Sequence, residues 1–238
     1  NNLETQDKLA DMSETDLEKL VLRRCEASNQ DLYNNPTHRE KVVDYILNRS
    51  SGKFNINAGA GNTFEAMLTC SSIKEAQAYY KLFKEFKNRG KIKEVILSKL
   101  PDFPKVAITY TVGENEDGAQ VNQKEMAEAL KDYKEMFPKA PADISELNAY
   151  NADLNKRLAR KESRYRRREE QLDLVIVVDR LLTGFDAPCL STIFLDRPPM
   201  KPQHLIQAFS RTNRIFNATK RYGQVVTLQY PLEYSKKI

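Results

Sequence analysis

Cysteine and histidine are scarce here. The 238 residues hold three cysteines, Cys25, Cys70 and Cys189, odd in number and with no C-x-x-C pair, and two histidines, His38 and His204. That argues for reduced thiols in a cytoplasmic protein and against a zinc site. No apolar run approaches the roughly 20 residues needed to cross a bilayer, so no membrane partner is expected. The opening stretch NNLETQDKLADMSETDLEKL lacks the basic start and apolar centre of a signal peptide, and the chain does not begin with Met, so it reads as an excised fragment. The phosphate-binding G-x-x-x-x-G-K-[ST] pattern is absent too: the two Gly-Lys pairs, Gly52-Lys53 and Gly90-Lys91, continue with Phe54 and Ile92. No Asp-Glu dipeptide occurs anywhere.

What is present belongs to a globular protein rich in helix: 40% hydrophobic residues, 30% charged, ten Pro and eight Gly. The net charge of +5 is uneven, because KRLARKESRYRRR (Lys156 to Arg168) holds eight bases and one acid, a local +7 that leaves the remainder slightly negative. Residues 3 to 50 read as two helices around SNQDLYNNP, the second starting after Pro36 with Val42, Val43, Ile46 and Leu47 at helical spacing. FEAMLTC suits a buried strand. It runs into a Ser72-x-x-Glu75 capping box and an amphipathic helix that ends at Gly90. KVAITYT, LDLVIVV, STIFLD and GQVVTLQ are further strands, with charged helical sequence between Glu114 and Gln171 and a helix from about Pro202. Alternating strands and helices, apolar without period two, predict a three-layer α/β domain with a mostly parallel sheet. Ligands then gather where strands end and loops begin.

Two stretches lie there. DRLLTGFDAP, Asp179 to Pro188, follows the most apolar strand, with Gly184 for close backbone approach, Thr183 for a hydroxyl and Asp186 for a carboxylate. It suits contact with sugar and phosphate, or else a plain turn in which Asp186 caps its own backbone. In QAFSRTNR, Gln207, Arg211 and Arg214 fall at i, i+4 and i+7, which puts three polar heads on one helix face. Leu205, Ile206 and Phe209 are left to meet the sheet. Two guanidinium groups a turn apart would repel unless an anion, a carboxylate or solvent lies between them, and their planar forks match phosphate oxygens. The alternative is a solvated face. Thr212 and Asn213 add no helix preference, so the helix end is expected to be set by what it binds. The basic segment is expected as an exposed helix with arginines all round it, reaching toward duplex DNA or toward another part of the enzyme, as a solvated helix balanced by Glu162, Glu169 and Glu170, or with Arg166 to Arg168 disordered. A loose nuclease-like pattern, Pro101-Asp102 with Asp132-Tyr133-Lys134, places Asp132 in helical sequence rather than on a strand.

LLTGFDAP followed by QAFSRTNR resembles motifs V and VI of superfamily 2 helicase-type motors. LTGFDAP, LIQAFSRTNRI and the run KRYGQVV are similar to the restriction (R) subunit of type I restriction-modification enzymes, over Leu172 to Tyr230. FEAMLTCSSIKEAQAYYKLFKEF resembles that family's strand and helix around motif IV, while Glu114 to Gln171 and the first fifty residues match least. The resemblance implies a second RecA-like motor domain over 63–238, after an N-terminal helical linker segment over 1–62 and with a helical insertion over 114–171. It implies ATP and Mg2+ held mainly by a first motor domain outside this chain, with Arg214 as arginine finger and Arg211 beside it on the phosphates. Gln207 would couple the domains, with Gly184 and Asp186 beside the nucleotide ribose. Thr183, Ser71, Ser72, Thr109 and Thr111 would hold phosphates of the tracked DNA strand. It implies as partners double-stranded DNA, the first RecA-like domain and the modification and specificity subunits, with the nuclease domain outside this chain. The missing phosphate loop and Asp-Glu pair imply that the fragment alone does not hydrolyse ATP. The rivals are another superfamily 2 repair or remodelling motor and a non-catalytic basic nucleic-acid-binding module.

Overall fold

The computed structural model describes residues 32–111, 118–141, 143–178, 187–216 and 220–231, with 13, 16, 19–21, 23 and 24 from the N-terminal stretch. Most of the first of the two N-terminal helices, and the Asp179–Asp186 part of the LTGFDAP loop, lie outside the described residues. None of the described helices is long and apolar enough to cross a membrane.

Five strands form one sheet: β1 (Glu65–Cys70), β2 (Val106–Thr109), β3 (Leu174–Val178), β4 (Leu190–Asp196) and β5 (Gln224–Thr227). Their spatial order is β2-β3-β1-β4-β5 and every pairing is parallel, with Leu68 of β1 in register with Ile176 on one side and Phe194 on the other. The inner strands β1, β3 and β4 are buried almost without interruption, so their apolar runs carry no period-two alternation.

Helix α1 (Pro36–Asp44), extended by a π turn over Tyr45–Arg49, buries Val42, Val43, Ile46 and Leu47 in the same core as the sheet. Asn35 caps its start by accepting from the His38 amide at 2.9 Å, and Pro36 sits at its first position.

Helix α2 (Ile73–Asn88) begins as expected at Ser72, whose Oγ accepts from the Glu75 amide at 3.2 Å. The reciprocal half of the predicted capping box is replaced: the Glu75 carboxylate turns to Arg39 of α1, 3.2 and 3.0 Å from its Nη1. The far end closes on Gly90 at φ +63, with the Gly90 amide on the Lys87 carbonyl and the Lys91 amide on that of Phe86. That six-to-one, five-to-two pairing needs a left-handed residue, which glycine adopts without strain. A short helix α3 (Glu94–Leu97) follows.

The segment between β2 and β3 folds against the sheet and α2. Helix α4 (Ala119–Met136) lies beside α2, where Asp132 accepts from the Tyr80 hydroxyl at 2.9 Å and pairs with Lys84 at 2.5 Å. Helix α5 (Leu147–Ala159) reaches the edge strand β2, where the Tyr150 hydroxyl donates to the Ile108 carbonyl at 2.7 Å and satisfies an edge group that has no strand partner. The last helix, α6 (Pro202–Thr212), packs on β4 and β5.

The basic segment is not one exposed helix: five of its basic side chains are exposed and three turn inward. α5 ends at Ala159, residues 163–170 form two single 3-10 turns, and three of the eight basic side chains are buried under the amino ends of the strands. Arg157 pairs with Asp153 (2.7 Å) and Glu170 (2.6 Å) and lies 3.7 Å from the Phe137 ring centroid. Arg160 pairs with Glu65 at 2.7 Å and donates to the carbonyls of Thr63 (2.6 Å) and Leu172 (3.1 Å). Arg168 clamps Asp173 (2.5 and 2.7 Å) and Asp102 (2.8 Å). Buried carboxylates at 65 and 173, with the half-buried acids at 102 and 153, draw these guanidinium groups inward, because a desolvated acid needs a charged partner. Asp102 is thereby engaged with Arg168, and Asp132 with Tyr80 and Lys84, so the nuclease-like pattern is not assembled.

Candidate functional site

The chain leaves β1 toward β2 through α2 and leaves β4 toward β5 through α6, in opposite directions across the sheet. The carboxyl ends of β1 and β4 therefore flank the position where α/β sheets open a crevice. A cavity of about 180 Å3 lies there, lined by Tyr33, Ser71, Glu75, Pro198, Gln229 and Tyr230. Behind it the Asp196 carboxylate, 3% exposed, receives the Tyr79 hydroxyl at 2.6 Å and lies 2.7 Å from His38 Nε2. Burial, then the Asp196 charge, pushes the Tyr79 hydroxyl far above its ordinary pKa, so it stays a donor. Sequence reading missed this trio; its one signal was an acid closing the apolar strand TIFLD. A larger opening of about 780 Å3, beside Glu40, Asp44, Arg49 and Lys91, contains none of the predicted site residues.

On α6 the packing face is Leu205, Ala208 and Thr212, all buried, with Phe209 half-buried against the core. Ile206, expected to meet the sheet, is 67% exposed, because it stands about 100° round the helix from Leu205 and outside the buried face. Gln207 and Arg211 are half-buried on the helix. Arg214 is half-buried too, but the helix ends at Thr212 with Asn213 as cap, so its position follows from the turn and not from i+7 helical spacing.

That turn is held from inside. Lys220 is buried, and its Nζ donates to the Thr212 carbonyl at 2.8 Å and to the Arg214 carbonyl. Burial, with the Arg214 charge adding to it and Cys189 opposing, brings the Lys220 ammonium down to a pKa of about 8. Gly223 packs against the same point, and a Cβ there would stand 2.2 Å from Thr212 Cβ and Oγ1. Lys220 and Gly223 belong to the KRYGQVV run, so part of what sets the helix end is another segment of this chain.

The predicted DNA-facing residues divide. Ser71 is exposed, and Ser72 is the N-cap of α2, its hydroxyl already accepting from Glu75. Thr111 is exposed. Thr109 is 1% exposed and its hydroxyl donates to Asn151 Oδ1 at 2.7 Å, so it serves the packing of α5 on β2 and faces no surface. Thr183, Gly184 and Asp186 lie outside the described residues. The thiols of Cys70 and Cys189 are free and buried, and burial pushes both pKa values up, so neither is poised as a nucleophile.

With this arrangement in place, comparison with known proteins is direct: the family described as type I restriction enzyme subunit R domain 3 matches residues 62–230. This chain belongs to that family. A type I restriction enzyme endonuclease subunit, SauMRSORF196P of Staphylococcus aureus (strain MRSA252), is 28% identical over 192 residues, covering 79% of this chain and 18% of that relative. The HindI endonuclease subunit of Haemophilus influenzae (strain ATCC 51907 / DSM 11121 / KW20 / Rd) is 46% identical over 66 residues, covering 27% of this chain and 6% of the relative. The chain therefore spans less than a fifth of the length of either. Among solved structures, an ATP-dependent Type ISP restriction-modification enzyme, LlaBIII bound to DNA, overlaps 82% of this chain and 10% of its own at 16% identity, with a TM-score of 0.40. That overlap is too loose to argue from. The RecA-like, three-layer assignment rests on the parallel sheet and on membership of the R-subunit family.

Proposed function

We propose that this domain is the second RecA-like half of the ATP-driven DNA-translocating motor in a type I restriction endonuclease R subunit. It closes over ATP and Mg2+ held by a first motor domain. Arg214 acts as the arginine finger, stabilising charge that develops on the transferring phosphoryl group, with Arg211 on the phosphates and Gln207 coupling the two domains. The observation that carries this reading is the division of labour on α6: Leu205, Ala208 and Thr212 take the packing, while Gln207 and Arg211 stay half-exposed and Arg214 follows two residues past the helix end.

The donor set fits such a ligand, since planar guanidinium forks match phosphate oxygens. Bound there, ATP supplies the phosphoryl group whose transfer drives movement along DNA. Mg2+ is assigned, with the ATP phosphates, to the first motor domain. Gly184 and Asp186 are assigned to the ribose, and Ser71, Ser72, Thr111 and Thr183 to the DNA backbone, while the Thr109 hydroxyl stays on Asn151. Duplex DNA and the modification and specificity subunits are the partners of the whole enzyme.

The reading is tested in the complete R subunit, assembled with its partner subunits. Arg214→Ala should leave DNA binding nearly intact and lower DNA-stimulated ATP hydrolysis by about 10³-fold. Normal turnover in that variant would sink the finger assignment. The rival of a basic nucleic-acid-binding module would have to work through the exposed Lys156, Lys161, Arg164, Arg166 and Arg167, since Arg157, Arg160 and Arg168 are engaged in internal ion pairs; steep salt dependence of DNA binding by this chain alone, lost on neutralising those exposed residues, would favour it.

A further inference from the structure

The turn that carries Arg214 is fixed by groups that motif VI does not include. α6 ends at Thr212, and the Asn213 amide still bonds the Phe209 carbonyl at 3.1 Å. The carbonyls beyond that point are orphans of the helix end, and at a surface water would satisfy them without difficulty. Here a lysine does it instead. Lys220, 2% exposed, threads its ammonium under the turn and donates both to the Thr212 carbonyl at 2.8 Å and to the carbonyl of Arg214 itself. Taking an ammonium out of water is unfavourable, so such a cap is a poor choice if closing a helix were the only requirement. Gly223 leaves no space beside Thr212, where any side chain would meet it at 2.2 Å. The turn is thus tied to an internal cation at Thr212 and Arg214 and packed by a glycine backbone at Thr212.

We propose that Lys220 is a positioning residue for Arg214, holding the main chain of the finger so that its guanidinium enters the nucleotide cleft in one orientation. A flexible side chain of Arg length reaches many places from a loose turn and few from a fixed one. A displacement of about 1 Å at such a group can lower turnover by about 100-fold. The inference rests on Arg214 being the finger.

The experiment measures DNA-stimulated ATP hydrolysis, DNA affinity and thermal unfolding of the assembled enzyme with Lys220→Met, Arg214→Ala or both in the R subunit. Lys220→Gln, which keeps an amide donor, is the milder companion. Lys220→Met is expected to lower kcat by about 10- to 100-fold, with KM for ATP and DNA affinity within about twofold of wild type. Lys220→Gln should recover part of that loss. In the Arg214→Ala background Lys220→Met should lower the residual kcat no further, because both changes remove one function.

Normal turnover in Arg214→Ala would overturn the finger reading and this inference together. A dead Arg214→Ala with normal turnover in Lys220→Met would overturn the inference and leave the finger in place. Parallel losses in kcat, DNA affinity and unfolding temperature would mark Lys220 as a general structural residue, as would losses that add in the double variant. If Lys220→Met does not fold, the same readings on Lys220→Gln decide: a loss confined to kcat supports positioning, and unchanged kcat overturns it.

Discussion

The buried pair between Arg160 and Glu65 gives the sharpest test of how the insertion is tied to the sheet. Arg160 is 1% exposed, and its guanidinium reaches one carboxylate and two carbonyls: Glu65 at 2.7 Å, Thr63 at 2.6 Å and Leu172 at 3.1 Å. Arg160→Met keeps the aliphatic bulk and strands all three acceptors. Removing one member of a buried pair destabilises by about 3–5 kcal/mol, mostly through the charge left behind. Glu65 softens that outcome because it can take up a proton. Burial already raises its pKa to about 7, while Arg160 is the main influence holding it down. A raised carboxyl pKa means that the folded state binds the proton more tightly than the unfolded chain. Its contribution to stability is complete below the unfolded value near 4.5 and is lost as pH rises through about 7. Without Arg160 the folded pKa climbs further, so the variant keeps losing stability above pH 7 where the wild type has levelled off, by up to about 1.4 kcal/mol per pH unit. Urea unfolding of the 238-residue chain, followed by circular dichroism, should show a loss of about 3 kcal/mol near neutrality, larger at pH 8 than at pH 6. Adding Glu65→Gln should remove that pH dependence. Equal losses at the two pH values, or a loss below about 1 kcal/mol, would refute the argument.

Other consequences follow from the same contacts. Replacing the exposed Arg164, Arg166 and Arg167 together with Gln should move the unfolding free energy by less than about 0.5 kcal/mol each, whereas Arg168→Gln, which strands Asp173, should be visibly destabilising in the same titration. Tyr79→Phe removes one of the donors to the buried Asp196, and a loss of about 1–3 kcal/mol is expected; an unchanged midpoint would mean that another group takes over. Cys70 and Cys189 should resist alkylation by iodoacetamide in the folded chain at pH 8 and react in urea, read by mass spectrometry.

The strands and helices were legible because their signals are local. LVIVV is continuously apolar since both faces of β3 are covered, Ser72 caps α2, and Gly90 closes it. The parallel sheet followed from the alternation of elements. What was not legible came from pairing across long distances in sequence. The run Lys156 to Arg168 looks solvent-directed when read alone, and nothing within it announces that acids at 65, 102 and 173 lie in wait. The i+7 placement of Arg214 failed for a related reason: helical spacing presumes a helix, and a lysine from a later segment meets the chain just where α6 ends. Thr109 stands at the end of a strand, where a free hydroxyl is expected, yet Asn151 claims its hydroxyl. In each case the local rule was sound and a distant partner overruled it.

Those distant pairings are not scattered. Glu65 opens β1, Asp173 and Cys189 stand just before β3 and β4, and Lys105 just before β2; each is tied to the insertion, through Arg160, Arg168, the Leu158 carbonyl and the Arg168 carbonyl. The amino edge of the sheet is therefore stitched by buried charge. The carboxyl edge is where the α2 cap at Ser71 and Ser72, the exposed Thr111 and the Asp196 trio stand. The motor role proposed above would use this polarity: loops that change partners as a nucleotide binds and leaves need strands that do not shift. On that view the insertion is no reaching arm but the clamp that keeps one end of the sheet rigid while the other end works. Loosening the clamp with Arg160→Met should then lower the global unfolding free energy, while Lys220→Met should leave the clamp intact and act on turnover alone. Hydrogen exchange separates the two: the first variant should lose protection in β1 and β3, the second only around residues 209–216.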